Sequence, residues 1–204
     1  MLLALVLLGG ALWLAAPAAH SASKPILVLG DSLSAEYGIE RGSGWVTLLE
    51  QKLAQARAPY AVVNASISGD TTSGGRNRLP ALLRQHAPSI VIIELGANDG
   101  LRGLSLLVTE TNLRNMVAEA RKAKAKVLLV GIQLPPNYGP EYAQRFGSMF
   151  PKIARDTKSA LVPFLLEGIA ELPHMFLPDR LHPTAEAQPI ILDNVWPHLS
   201  PLLR

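Results

Sequence analysis

The residues of this sequence that could do chemistry begin with a serine near its start. Ser32 follows Gly30 and Asp31, directly after a run of apolar residues. A glycine at such a place permits a tight turn that can lift a hydroxyl out of the edge of a sheet. A hydroxyl with a nearby base can act as a nucleophile in acyl transfer. Alternatively, Ser32 caps the helix that follows, which is a common role for serine.

Two acid–histidine pairs could supply the base. Asp179 precedes His182 by three residues, and Glu171 precedes His174 by the same spacing. At this spacing a carboxylate can accept the imidazole Nδ1–H while Nε2 faces outward. Alternatively, His182 is a surface histidine ahead of a helix that has Pro183 in its first turn. The spacing favours the Asp179 pair only slightly and leaves the Glu171 pair open.

Hydrogen-bond donors for a developing oxyanion also follow apolar runs. Gly69 offers a backbone N–H with no side chain to block approach, and Asn98 offers a side-chain amide. Together with the N–H of Ser32, they could stabilise the negative charge of a tetrahedral intermediate. The alternative is a turn glycine at 69 and an Asx-turn residue at 98.

Three aspartates that follow apolar runs could instead be interpreted as a metal cluster. No metal-binding spacing supports that interpretation, so no metal site is predicted. We interpret them as turn and hydrogen-bonding residues: Asp31, Asp70 and Asp99.

Alternating strands and helices are predicted to position these residues. Short apolar runs predict strands over 25–30, 60–64, 89–95, 126–131 and 160–164. Helical spacing predicts helices over 44–57, 75–86, 109–123, 140–158 and 184–199. Two prolines need attention: Pro80 is tolerable only in a first turn, and Pro151 is expected to kink or break its helix. Thr184 is a candidate N-cap for the last helix.

The strands are apolar without alternation, which is typical of a parallel sheet covered by helices on both faces. A single three-layer α/β domain over 23–204 is therefore predicted. In such sheets ligands bind at the carboxyl ends of the strands, where the candidate residues lie.

The amino-acid composition argues against some classes of function. Hydrophobic residues make up 49% and charged residues 17%, the net charge is +3, and the basic residues form no block. Nucleic-acid binding is therefore not expected. The sequence has no cysteine, which excludes disulfides and thiolate chemistry.

The first 22 residues resemble a secretory signal. An uncharged apolar run is followed by small residues, with cleavage expected near Ala22. An exported protein, periplasmic or secreted, is predicted; an uncleaved anchor is the alternative.

Four blocks of the chain together resemble the GDSL, or SGNH, hydrolases. They are Gly-Asp-Ser-Leu-Ser at 30–34, Gly69, Gly-Ala-Asn-Asp at 96–99, and Asp-Arg-Leu-His at 179–182. The longer strings at 64–71 and 98–103 look like the multifunctional bacterial periplasmic thioesterase, arylesterase and lysophospholipase subgroup.

This resemblance implies a flavodoxin-like sheet of five parallel strands and no cofactor. It selects Ser32, Asp179 and His182 as the catalytic triad, and Ser32, Gly69 and Asn98 as the oxyanion hole. It implies hydrolysis of acyl-CoA thioesters, aryl and short-chain esters, and lysophospholipids. Separately, the protein is predicted to be a monomer whose contact with membrane lipids is at most transient.

The resemblance further implies a mobile loop at 100–106 and an opposite wall at 134–138. The substrate-binding residues expected from them are Gly100, Leu101, Leu104, Leu134 and Pro135. Glu36 departs from the family pattern of a small residue soon after the nucleophile. A carboxylate there could disfavour anionic head groups, which leaves the preferred leaving group open.

Three other functions stay open at this point. Deacetylation of a polysaccharide would need a groove lined by aromatic residues, yet aromatic residues make up only 5% of the chain. An acyl- or lipid-binding protein without activity is the second alternative. Acyl transfer to an acceptor other than water is the third.

Overall fold

The computed structural model describes residues 23–204, and within them the chain forms one five-stranded parallel sheet. The predicted signal segment, 1–22, lies outside the described residues. The sheet has the order β2-β1-β3-β4-β5. Its strands are β1 Lys24–Gly30, β2 Tyr60–Asn64, β3 Ile90–Glu94, β4 Lys126–Val130 and β5 Ala160–Val162. The prediction of a five-stranded parallel sheet is confirmed.

Six α-helices connect and follow these strands within the described part of the chain. They are α1 Trp45–Gln55, α2 Thr72–His86, α3 Ala97–Leu101, α4 Leu106–Lys122, α5 Pro140–Thr157 and α6 Gln188–Leu199. Within 23–204, no helix combines the length and the apolar character that crossing a membrane requires.

The helices cover both faces of the sheet, which gives the three predicted layers. Helix α1 contacts α6 on one face, and α4 contacts both α2 and α5 on the other. Every residue of β3 is buried, because this central strand has neighbours on both edges and helices on both faces. Its apolar sequence is what such a position requires.

The strand order places the candidate residues at one crevice. The chain leaves β1 in one direction toward β2 and later returns to add β3 on the other side of β1. Such a reversal opens a crevice at the carboxyl ends of the strands concerned. Gly30 is in register with Glu94, so the segments after β1 and β3 emerge side by side.

The structure departs from prediction at two prolines. Helix α2 begins at Thr72, three residues before the predicted start, so Pro80 lies inside the helix and not in its first turn. Thr71 accepts a hydrogen bond from the N–H of Gly74 and caps the longer helix. Helix α5 runs through Pro151 without a break, so the expected break does not occur, and a kink there stays a prediction.

Helix boundaries elsewhere also differ from prediction. The short helix α3 was not predicted, and α4 begins at Leu106 instead of 109. Thr184 precedes a 3₁₀ turn ahead of α6, and its side chain makes no capping hydrogen bond. Pro189 lies in the first turn of α6, where a missing N–H costs nothing.

One left-handed residue, never a glycine, lies in each of the four connections from a helix to the next strand. After three of them, a backbone N–H bonds to a carbonyl five residues back, as in a Schellman motif: Ala58 to Leu53, Ala125 to Ala120, and Ser159 to Ala154. The left-handed residues are Arg57, Ala87, Lys124 and Lys158.

Candidate active site

Ser32 lies in the turn that follows β1, at the carboxyl end of the central strands. A Cβ at Gly30 would lie 2.8 Å from Oγ of both Ser34 and Ser66, so only glycine lets the chain turn here. The next helix starts at Trp45 and is capped by Gly44. The alternative interpretation, that Ser32 caps this helix, is therefore wrong.

Ser32, His182 and Asp179 form one hydrogen-bonded series. The Ser32 Oγ and His182 Nε2 atoms are 2.8 Å apart, and His182 Nδ1 lies 2.8 Å from Asp179 Oδ2. A carboxylate beside Nδ1 fixes the proton there, so Nε2 is free to accept the serine proton. The alternative interpretation, that His182 is only a surface histidine ahead of a helix, is wrong, because both of its ring nitrogens have partners.

The loop that carries His182 is shaped around Asp179. Oδ1 of Asp179 accepts the N–H groups of Leu181, at 2.9 Å, and His182, at 3.0 Å. Arg180 between them adopts the left-handed conformation, with φ of 59°. Burial raises the pKa of Asp179, but these N–H groups and the imidazole outweigh it, so the pKa lies below its usual value. The carboxylate is ionised and can stabilise an imidazolium.

The rival pair does not form. His174 is exposed in a short 3₁₀ turn. Among the described contacts, Glu171 and His174 share neither a hydrogen bond nor an ion pair. Instead, the ring of Tyr37 lies against His182 with centroids 4.3 Å apart, a contact that the sequence did not predict.

The predicted oxyanion donors lie in the segments after β2 and β3. Gly69 has φ of +78° in a four-residue turn closed by a hydrogen bond from the Asp70 N–H to the Ile67 carbonyl, so it is indeed a turn glycine. Asn98 lies in α3, and its Nδ2 donates to Asp31 Oδ2 at 3.1 Å. This long-range bond replaces the local one expected of an Asx turn.

Two buried carboxyl groups lie behind the serine, and the sequence analysis missed the role of one of them. Glu94 Oε2 accepts the Ser34 hydroxyl at 2.7 Å and the Asp31 N–H at 3.3 Å. The sequence did contain an indication of this role, because Glu94 is a single acid at the end of an apolar strand.

The two acids carry shifted pKa values. Burial raises the pKa of Asp31 to about 6, against hydrogen bonds from Leu33 and Asn98 that lower it. Burial and the negative charge of Asp31 raise the pKa of Glu94 well above its usual value. The protein environment therefore favours the neutral form of Glu94 beside Asp31.

The other two aspartates hold backbone segments together, as predicted. Asp99 accepts the N–H and hydroxyl of Thr72, at 2.9 and 2.5 Å. Asp70 pairs with Arg78 at 2.8 Å. Within residues 23–204, no group of three or more acids and histidines is arranged to hold a metal ion.

A largely apolar cavity of about 760 Å³ opens at Ser32, Asn98 and His182. Of the predicted substrate-binding residues, Leu101, Leu134 and Pro135 line it. Two do not: Gly100 is buried behind the wall, and Leu104 is 43% exposed outside it. Most of the apolar lining was not predicted from the sequence, because it comes from distant segments: Leu33, Ile132, Phe164, Leu166, Leu172, Phe176 and Leu181.

Glu36 does not line this cavity. Its carboxylate accepts the N–H groups of Gly42 and Gly44 and the Thr47 hydroxyl, at 2.8 to 3.1 Å. It organises the approach to α1, which removes the basis for an effect on the leaving group.

Two tyrosines connect the predicted loop and the opposite wall. Tyr138 donates to the Leu101 carbonyl and Tyr142 to the Gly100 carbonyl, each at 3.2 Å. Mobility of the loop stays a prediction.

Comparison with known proteins points to one family. The sequence profile of the GDSL-like lipase/acylhydrolase family matches residues 28–189. The chain is 50% identical to esterase TesA of Pseudomonas aeruginosa over 198 residues, 97% of this chain and 98% of that protein. It is 43% identical to thioesterase 1/protease 1/lysophospholipase L1 of Escherichia coli K12 over 183 residues, 90% of this chain and 86% of that protein.

A solved structure agrees with this similarity. The crystal structure of TesA superposes with a TM-score of 0.86 at 52% identity, covering 88% of this chain and 99% of that one. The flavodoxin-like arrangement implied by the sequence resemblance is confirmed.

Proposed function

The chain belongs to the GDSL-like lipase/acylhydrolase family and is an ester hydrolase, and we propose that Ser32 is its nucleophile. His182 is the general base and Asp179 orients it. The observation that carries this proposal is the continuous series of two 2.8 Å contacts from Ser32 through His182 to Asp179.

The reaction follows from this arrangement. His182 takes the Ser32 proton at Nε2 while Oγ attacks the acyl carbonyl carbon. The N–H groups of Ser32 and Gly69 and the amide of Asn98 donate to the resulting oxyanion. His182 returns the proton to the leaving oxygen or sulfur, and an acyl-enzyme remains. Water, activated by the same imidazole, then releases the acid.

The substrates we propose are acyl esters and thioesters, including aryl esters, acyl-CoA and lysophospholipids. The apolar cavity of about 760 Å³ beside Ser32 supports an acyl chain as the bound group. A relative named thioesterase and lysophospholipase supports the same range. Two phenylalanines, Phe164 and Phe176, are the aromatic residues in the lining, which favours acyl chains over a polysaccharide groove.

For location and assembly, we propose an exported monomer that meets its small substrates outside the cytoplasm. The apolar run and small residues of 1–22 support export. Contact with membrane lipids is expected to be transient.

The proposal is tested by Ser32→Ala. Because removing a triad nucleophile leaves only binding and oxyanion contacts, hydrolysis of p-nitrophenyl butyrate and of an acyl-CoA should fall by about 10⁴-fold or more. Covalent labelling by a fluorophosphonate should disappear as well. Asp179→Asn should reduce turnover less than His182→Ala, since the imidazole survives in it.

The matched control is Ser148→Ala, which removes an exposed serine on α5. It should leave turnover and labelling unchanged. Circular dichroism must show all variants folded, and normal turnover in Ser32→Ala would overturn the proposal.

A further inference from the structure

We propose that Arg102 is a positioning residue that holds the two oxyanion donors Gly69 and Asn98 in one fixed relation. The inference rests on the proposed function, because it concerns the same oxyanion hole. It assigns to an exposed arginine a role in the rate of the chemical step.

One nitrogen of Arg102 reaches both donor segments. Its Nη2 lies 3.0 Å from the Gly69 carbonyl oxygen and 3.3 Å from Asn98 Oδ1. Gly69 follows β2 and Asn98 belongs to α3, so the two donors arrive on separate crossovers of the sheet. The guanidinium joins them directly.

The Gly69 turn needs such a constraint. Glycine has more backbone freedom than any other residue, and this one adopts φ of +78°. The carbonyl that Arg102 binds belongs to Gly69 itself, so the bond restricts rotation beside the N–H that is proposed to donate to the oxyanion. Without the bond from Arg102, the Gly69 N–H could point in several directions.

The orientation of the Asn98 amide is selected from both sides. A carboxamide can rotate by 180° and exchange its donor and its acceptor. A guanidinium only donates and an ionised carboxylate only accepts, so Arg102 selects the oxygen and Asp31 selects the nitrogen. One N–H of Nδ2 binds Asp31, and the second remains for the oxyanion.

The contact of Arg102 with Asn98 is local in sequence, whereas its contact with Gly69 is long-range. Arg102 follows Asn98 by four residues, so both lie on one face of the α3 turn, and the Arg102 N–H bonds to the Asn98 carbonyl at 3.2 Å. Among the described residues, Arg102 forms no ion pair. Its removal should therefore affect stability little while loosening the donors.

The experiment compares Arg102→Ala, Arg102→Lys and the control Arg84→Ala, an exposed arginine near the end of α2. With p-nitrophenyl butyrate, Arg102→Ala should lower kcat about 10- to 100-fold, because misplaced oxyanion donors fail mainly in the transition state. KM should change less than about threefold. Binding of an alkyl trifluoromethyl ketone, which forms a tetrahedral adduct, should weaken in proportion to kcat.

Arg102→Lys should recover part of the loss, since an ammonium can bind one oxygen acceptor but lacks the planar fork. Arg84→Ala should match the wild type. A double-mutant cycle with Asn98→Ala adds a test that a general structural role would not pass. If Arg102 acts through Asn98, its removal should lower kcat much less in the Asn98→Ala background.

Unchanged kcat in Arg102→Ala, a raised KM alone, or full additivity with Asn98→Ala would each overturn the inference. If the alanine variant fails to fold, Arg102→Gln carries the same test. Failure of the proposed function is distinguishable: it requires turnover in Ser32→Ala, whereas an inactive Ser32→Ala with a fully active Arg102→Ala refutes only the role of Arg102.

Discussion

The two ends of the sheet reverse the chain with different residues. At the amino ends of the strands, each left-handed position in a helix–strand connection carries a side chain. At the carboxyl ends, Gly69 with φ of +78° and Gly96 with φ of +120° occupy the corresponding turns after β2 and β3.

The difference reflects what surrounds each turn. At the amino ends, Lys124 and Lys158 lie beyond helix C-termini, where a positive charge is favoured by the helix dipole. At the carboxyl ends, a Cβ at Gly96 would lie 3.4 Å from the Phe150 ring, and one at Gly30 would strike two serines. Close neighbours thus leave little room for a side chain at positions 30 and 96, whereas the turns at the amino ends accommodate one.

The charged residues also differ between the two ends of the sheet. Asp31 and Glu94 are buried at the carboxyl ends, next to the serine. A cavity of about 300 Å³ at the amino ends of β4 and β5 is lined by exposed cations, among them Lys124, Lys126 and Lys158. Buried carboxyl groups thus lie at the end that carries the proposed reaction site, and exposed cations lie at the other end.

The largest effect is expected when a buried side chain is shortened at the amino end of the sheet. Ile90 is the fully buried first residue of β3. Ile90→Ala should lower the free energy of unfolding by about 3–4 kcal/mol, and Ile90→Val by about 1 kcal/mol. Urea unfolding measures both. The kcat of the folded protein should not change, and a loss in kcat without unfolding would show that the two ends are coupled.

A second, smaller effect should appear at Asp31. Its folded pKa of about 6 lies above the usual 3.8, so the folded state prefers the neutral acid and loses stability as the pH rises from about 4 to 6. Asp31→Asn lacks this titration, so relative to the wild type its free energy of unfolding should rise by about 2–3 kcal/mol between pH 4 and pH 7. Thermal unfolding at both pH values checks it.

The same substitution should lower kcat. The Asp31 carboxylate accepts both the Leu33 N–H and the Asn98 amide, and an asparagine has one acceptor oxygen for the two. Glu94→Gln should show a gain of the same sign between pH 4 and pH 7, because burial and the charge of Asp31 raise the pKa of Glu94 well above its usual value as well. If the stability difference between Asp31→Asn and the wild type were the same at pH 4 and pH 7, the raised pKa of Asp31 would be contradicted.

The smallest effect is expected at a left-handed lysine. Lys124→Gly should stabilise the protein by about 1 kcal/mol, since a side chain in this conformation is strained. Glu119→Gly, on an exposed helical position of α4, should cost about 1 kcal/mol instead. Equal effects of the two substitutions in urea unfolding would show that the left-handed position carries no strain.

The strands were predictable because burial on both faces requires continuous apolar runs, and β3 and β4 were found within one or two residues of their bounds. Helix α3 was not, because its sequence Ala-Asn-Asp-Gly-Leu is short and typical of a turn. Pro80 misled the prediction of α2, since tertiary contacts and the Thr71 cap outweigh one missing hydrogen bond.

The site was predictable as far as it depends on positions just after strands. Ser32, Gly69 and Asn98 follow from that rule, whereas the choice of Asp179 and His182 over Glu171 and His174 required the family resemblance. Tyr37 against His182 and Arg102 against Gly69 join segments far apart in sequence. No local pattern encodes such contacts.

The Ser32–His182 contact spans 150 positions of the chain, from the end of the first strand to a loop beyond the last. During synthesis from the amino terminus, the serine therefore emerges long before its base exists. A chain that ends before position 182 therefore lacks the proposed general base, even where its sheet has folded. Acyl hydrolysis should therefore appear only once the chain extends past the loop that carries His182.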